Sequence, residues 1–145
     1  LNADKPKEGL IGYPKENEGL RLLRLLITKE KGRIIYIAIG ANWCPGSQQE
    51  LPFLKKLAAN FQNEAIRFVN FWIDDNSHNP DYPELGIENY YLTDAQRTGL
   101  DPIFHLGSGI PFYILIDKDG VIVDYGEHLR PSFPDTQKKL EELVY

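Results

Sequence analysis

The sequence predicts an α/β domain built on a central mixed β-sheet flanked by helices. Three observations carry this prediction. Two nearly continuous β-rich runs, Arg33 to Ile39 and Ala65 to Ile73, enclose a helical stretch, as parallel strands joined by a crossover do. A third run, Pro111 to Asp117, is followed by Lys118-Asp119-Gly120 and then Val121 to Tyr125, the pattern of an antiparallel hairpin. The chain has 145 residues, enough for a single domain, 1–145, that buries its own core.

The elements follow in order. Residues 1–18 are polar and rich in Gly, Pro and Lys, and read as a lead-in segment. Gly19 to Lys31 carries leucines at 20, 22, 23, 25 and 26 and suits a short amphipathic helix ended by Gly32. The strand Arg33 to Ile39 is apolar at almost every position, so both its faces should be buried. Ala41 to Gly46 forms a turn and Ser47 to Gln62 a helix, with Leu54, Leu57, Ala58 and Phe61 in one stripe. Pro52 inside that helix should kink it. After the second strand, Asp74 to Tyr82 has a loop composition. Residues 83–108 are the least legible; Thr93 to Arg97 reads as a short capped helix broken by Gly99, Asp101 and Pro102. Pro134 to Tyr145 closes the chain as a helix with Leu140, Leu143 and Val144 on one face.

Composition narrows the function. The net charge is −5 and the pI about 5.2, which argues against a nucleic-acid or anionic-membrane surface. Apolar runs reach five or six residues, far below the roughly 20 of a membrane span. No signal peptide is read at the start, and no methionine occurs, so an excised domain or a mature form is expected. The single cysteine, Cys44, excludes an intrachain disulfide framework and a multi-cysteine zinc site. His78, His105 and His128 are far apart and show no metal-ligand spacing; surface or capping roles are expected. Asp74, Asp75 and Asp81 lack the regular oxygen-ligand run and central glycine of a calcium loop. No metal and no cofactor is expected. Trp72, Tyr82, Tyr90, Tyr91 and Phe104 are taken as core or lid packing, with a substrate groove as the other reading.

Cys44 follows a strand and directly precedes a helix. Its sulfur should therefore lie beside unpaired backbone N–H groups and the positive end of the helix dipole. Both favour the thiolate, which is the nucleophile. Pro45 suits a helix start because it has no N–H to lose, and Trp43 offers a flat apolar wall. The bland alternative is a buried, inert cysteine.

The string Trp43-Cys44-Pro45-Gly46-Ser47 resembles the Trp-Cys-x-x-Cys active site of the thioredoxin family. Glu50 and Pro52 match the Cys-x-x-Cys-x-x-Glu-x-Pro pattern of TlpA/ResA-like thiol-disulfide oxidoreductases. Gly109-Ile110-Pro111, with the strand and hairpin after it, is similar to that family's Gly-Val/Ile-Pro segment. Arg130-Pro131-Ser132 is similar to C-terminal thioredoxin domains of Bacteroidetes TlpA-like proteins. Over roughly residues 18–145 the resemblance implies a thioredoxin fold and a Cys44 nucleophile. It implies a cis Pro111, and a free backbone at Ile110 that pairs with an extended substrate segment. Trp43, Pro45, Ile110 and Pro111 would then bind substrate. The partners would be a protein disulfide or thiol and an external reducing thiol or upstream reductase. The compartment would be the periplasm or cell envelope.

The departures bear on mechanism. Ser47 stands where the second cysteine would be, and a hydroxyl cannot displace a mixed disulfide. It can still donate a hydrogen bond to the thiolate. A natural Cys-x-x-Ser variant and an engineered trap both fit this serine. Ala38 stands where many thioredoxins carry a buried aspartate. Glu50 remains as the acid/base that the resemblance implies; a solvated residue in the first helical turns is the other reading. The leading function is thus a thiol-disulfide oxidoreductase. The alternatives are a redox-silent binding module and a peroxiredoxin-like peroxidase, the latter weakened by Ala41 where a hydroxyl residue is normal.

Overall fold

A computed structural model describes residues 17–73, 82–106 and 109–145. Lead-in residues 1–16, the loop at 74–81 with His78, Asp74, Asp75 and Asp81, and residues 107–108 lie outside the described residues.

Two crossovers and a hairpin assemble the sheet. Helix α1 (Glu18–Lys29) is followed by β1 (Ile34–Gly40), α2 (Pro45–Asn60) and β2 (Ile66–Trp72). A short 3-10 turn, Pro83–Leu85, leads into β3 (Ile87–Tyr91) and α3 (Asp94–Phe104). Strands β4 (Phe112–Ile116) and β5 (Ile122–Tyr125), a 3-10 turn at Glu127–Leu129 and α4 (Pro134–Val144) complete the chain. The five strands lie in the order β3-β2-β1-β4-β5. β1 is parallel to β2 and β2 to β3, whereas β4 runs antiparallel to both β1 and β5. The sheet is mixed, as its crossovers and hairpin require.

Alternation along β1 divides the core between the two faces. Ile35, Ile37 and Ile39 join Leu20, Leu23, Leu100 and Phe104 on the α1/α3 side. Ile34 and Tyr36 join Leu54, Leu57, Tyr113 and Leu140 on the α2/α4 side. A strand with both faces covered can be apolar at every position, which explains the unbroken run in β1.

Three expectations need correction. The short helix at Thr93 to Arg97 is one helix to Phe104, passing through Gly99, Asp101 and Pro102. Thr93 does cap it: its hydroxyl accepts from Gln96 N–H at 3.1 Å, and Gln96 Oε1 accepts from Thr93 N–H at 2.8 Å. What sustains the helix is buried Leu100, Ile103 and Phe104, together with close packing on α1. A Cβ on Gly19 would come within 2.6 Å of the Gln96 carbonyl, and one on Gly99 would overlap Asn17 Oδ1. Gly99 and Gly19 therefore permit the approach of the two helices. Second, residues 83–108 also contain β3, a strand with polar Glu88 and Asn89. Third, α1 ends at Lys29 and is capped by Glu30, with Gly32 two residues further at φ +85°. The lead-in likewise stops at Asn17, whose side chain accepts from Leu20 N–H at 2.9 Å and caps α1.

The two described histidines stand at the end of α3 and in the last 3-10 turn. His105 adopts the left-handed conformation at the end of α3, with φ 56°. His128 Nε2 lies 2.9 Å from Asp124, which also pairs with Lys139 of α4. Among the aromatics, Trp72 and Phe104 are buried core residues, and Tyr82 lies under Lys55 at 4.4 Å.

Candidate active site

Helix α2 starts two residues earlier than its apolar stripe suggested, with Pro45 at its first position. Cys44 is thereby the N-cap residue, at φ −89° and ψ 116°. The approach is a tight turn in which Cys44 N–H donates to the Ala41 carbonyl at 3.1 Å. Gln48 N–H then donates to the Cys44 carbonyl at 3.1 Å, the first bond of the helix. Gln48 Nε2 also donates to Asn42 Oδ1 at 3.1 Å, bracing the turn. The helix runs on through Pro52, which has no N–H to offer the Gln48 carbonyl.

Cys44 is partly exposed. As a thiol it donates to the Ile110 carbonyl at 3.7 Å and makes no capping bond. The Ile110–Pro111 peptide is cis. A Cβ on Gly46 would meet Pro111 Cδ at 3.1 Å and Cys44 Sγ at 3.9 Å, so only a small residue fits between the sulfur and the proline. Trp43 is 68% exposed and stands free beside the thiol. Cys44, Trp43, Pro45, Ile110 and Pro111 thus converge on one surface.

Burial acts to raise the Cys44 pKa, but opposing groups outweigh it. The backbone N–H and hydroxyl of Ser47, the N–H of Gly46 and the cation of Arg130 together hold the thiol below its ordinary value. The N–H groups and the Ser47 hydroxyl belong to the start of the helix, where donors favour the ionised form of a thiol.

Ser47 is buried and built into the end of β1. Its hydroxyl accepts from Ala41 N–H at 3.3 Å. A Cβ on Gly40 would fall 2.6 Å from that hydroxyl, so glycine leaves the serine its room. Behind it lies a cavity of about 20 Å³ lined by Ala38, Ser47, Glu50, Asn70, Pro111, Tyr113 and Pro131 among others. Ala38 lies in register with Asn70 on β2 and Tyr113 on β4. Asn70 Nδ2 and Trp72 Nε1 both donate to Asn89 Oδ1, at 3.1 and 2.9 Å.

Glu50 is partly buried, and both its oxygens have partners. Its Oε1 accepts from Ser132 N–H at 3.0 Å and its Oε2 from the Ser132 hydroxyl at 2.8 Å. Arg130 and Ser132 were visible in the sequence as part of an Arg-Pro-Ser string. Nothing there gave Arg130 an electrostatic role or Ser132 a partner, because both depend on folding the last loop over α2. No group of His, Cys, Asp and Glu suited to a metal occurs among the described residues.

A partly exposed thiol at a helix start, against a cis X-Pro segment on a mixed sheet, is the arrangement of a thioredoxin fold, with serine at the second position of the Cys-x-x-Ser string. No protein-family model matches the chain, and no curated protein matches it. Solved structures do. A candidate thiol-disulfide oxidoreductase from Bacteroides vulgatus, solved in solution, is 35% identical over 81% of this chain and 78% of its own, with a TM-score of 0.63. A crystal structure of a candidate thiol-disulfide oxidoreductase from the same organism is 27% identical over 81% and 83%, with a TM-score of 0.65. A thioredoxin-family thiol:disulfide interchange protein from Chlorobium tepidum shares the fold at 19% identity, 81% coverage of each chain and a TM-score of 0.57. The chain belongs to the thioredoxin-like, TlpA-type family of thiol-disulfide oxidoreductases.

Proposed function

We propose that this domain carries out thiol-disulfide exchange through Cys44 alone. The Cys44 thiolate attacks one sulfur of a substrate disulfide. A new S–S bond forms to Cys44, and the other substrate sulfur leaves with the electron pair as a thiolate. Cys44 is oxidised and the released sulfur reduced. Ser47 cannot displace the product, so an external thiolate must attack the substrate sulfur of the mixed disulfide, forming a new S–S bond to that sulfur and expelling Cys44 with the electron pair as the thiolate. Ser47 instead supports the thiolate through its N–H and hydroxyl, while Trp43, Pro45, Ile110 and Pro111 surround the incoming disulfide. The Ile110 backbone beside the cysteine would pair with an extended client segment, its carbonyl exchanging the thiol donor for a client N–H.

The observation that carries this reading is the Cys44 sulfur at the start of α2, held toward its ionised form and partly open to solvent. A redox-silent binding module is the second reading. It is favoured by the way the Ser47 hydroxyl is bonded to Ala41, as a residue settled in its place. A location outside the cytoplasm is part of the proposal and rests on the family resemblance alone.

The test is reduction of insulin by the chain and by Ser47→Cys. Without added thiol the chain itself should accumulate a mixed disulfide at Cys44, and Ser47→Cys should release the reduced substrate. Absence of both the adduct and the released substrate would leave the binding module.

A further inference from the structure

Ile110 stands just before β4 begins at Phe112. Its half-buried side chain packs against the α1/α3 core, which anchors its main chain. Its carbonyl accepts from the Cys44 thiol at 3.7 Å. Among the described residues that thiol is the one donor to this oxygen. The two sides of the contact are closely packed: a Cβ on Gly46 would meet Pro111 Cδ at 3.1 Å and Cys44 Sγ at 3.9 Å. A protonated thiol satisfies the carbonyl. An ionised sulfur has no proton to give and turns its charge toward the oxygen, so a thiol that donates here is held in its neutral form. Ionisation of Cys44 thus costs this bond and leaves the carbonyl without its donor.

We propose that client docking and Cys44 ionisation are coupled through the Ile110 carbonyl: an extended client that brings a backbone N–H to this oxygen replaces the thiol as its donor and thereby favours the thiolate. This rests on a client pairing at Ile110. The thiol proton passes to solvent, the client N–H takes its place on the oxygen, and no covalent bond between heavy atoms changes. The nucleophile is then more ionised with a client in place than without one. By linkage, the ionised chain holds the client more tightly by the same factor. A client also shields the sulfur from water, which acts in the opposite direction. The ionisable groups around the pair come from four elements. Glu50 of α2 and Tyr113 of β4 line the cavity behind the cysteine. Arg130 of the last loop acts on the thiol through its charge, with Glu127 3.6 Å from it. Arg97 and Asp101 of α3 line a cavity together with Ile110. All of these remain in Cys44→Ala, which removes the titrating sulfur alone.

The test uses the full chain and a short capped peptide of Ser, Thr and Val, which has no cysteine and no ionisable group. Binding is followed by NMR across the Cys44 titration, together with the carbonyl carbon signal of Ile110. Thiolate absorbance gives the midpoint, and Cys44 is the one cysteine that contributes to it. Saturating peptide should lower that midpoint by about half a pH unit, and affinity should rise about threefold as the thiol ionises. In the free chain the Ile110 carbonyl signal should move with the titration; with peptide bound it should hold still. Cys44→Ala should bind the peptide equally well across the same pH range. An affinity that stays level or falls as Cys44 ionises overturns the proposal. So does an Ile110 signal that moves equally with and without peptide. A peptide that binds at no pH removes the pairing, and the coupling with it. The exchange reading is judged separately, by whether a small disulfide, which needs no pairing, forms an adduct on Cys44.

Discussion

Ser47 and Cys44 occupy the two ends of a single helical turn, yet they answer different demands. The thiol is partly open, whereas the serine is buried and bonded to Ala41 N–H. Replacing Ser47 by Ala removes one donor to the thiolate and strands the Ala41 N–H. The Cys44 titration should rise toward the ordinary thiol range, and alkylation at neutral pH should slow. The check is thiolate absorbance across a pH series; an unchanged midpoint would remove Ser47 from the electrostatics. Much of this site was legible in one short string, because a helix start and its flanking residues are contiguous in sequence. Glu50 was legible as a candidate but not as a clamp. Its partner Ser132 reaches it only after α4 and the preceding loop pack against α2. Arg130 has the same history, since its influence on Cys44 exists only in the folded chain.

Periodicity located the helices and strands of the core well, and it failed where packing overrides propensity. In α3, Gly99 and Pro102 are poor helix formers, so a reading from breakers stops at Arg97. The helix continues because Leu100, Ile103 and Phe104 bury against the sheet and because Gly99 and Gly19 let α1 come close. Gly99→Ala should therefore destabilise the fold by about 1–3 kcal/mol, although alanine is the better helix former. Urea unfolding measures this, and a gain in stability would refute the close-approach account. Strand β3 was missed for a related reason. It lies at the edge of the sheet, with β2 as its neighbouring strand and one bridge from Ile87 to Tyr82, and its Glu88 and Tyr90 are half-buried polar groups serving Lys29 and Arg67. A short strand carrying that charge network gives no clean alternation to read.

The two faces of the sheet divide the labour. The α1/α3 side is predominantly apolar packing, whereas the α2/α4 side joins the core to the active site through Tyr36, Glu50 and Tyr113. Cys44 lies where the C-terminal end of β1 hands over to α2, beside the segment that enters β4. Folding thus brings the N–H groups of the first turn of α2 and the Ser47 hydroxyl to one sulfur, with the Arg130 charge also acting on it, and its ionisation reports on that assembly. The sign is definite. A thiol held below its ordinary pKa is ionised in a larger fraction at neutral pH, and its reactivity rises through the lowered value and levels off before free cysteine does. The most direct measurement is the rate at which the intact chain reacts with a small neutral disulfide across pH, with the Cys44 adduct identified by mass. The predicted result is a Cys44 mixed disulfide, formed with a midpoint below that of free cysteine. A midpoint at or above free cysteine, or no adduct on Cys44, would contradict a nucleophilic role for this residue.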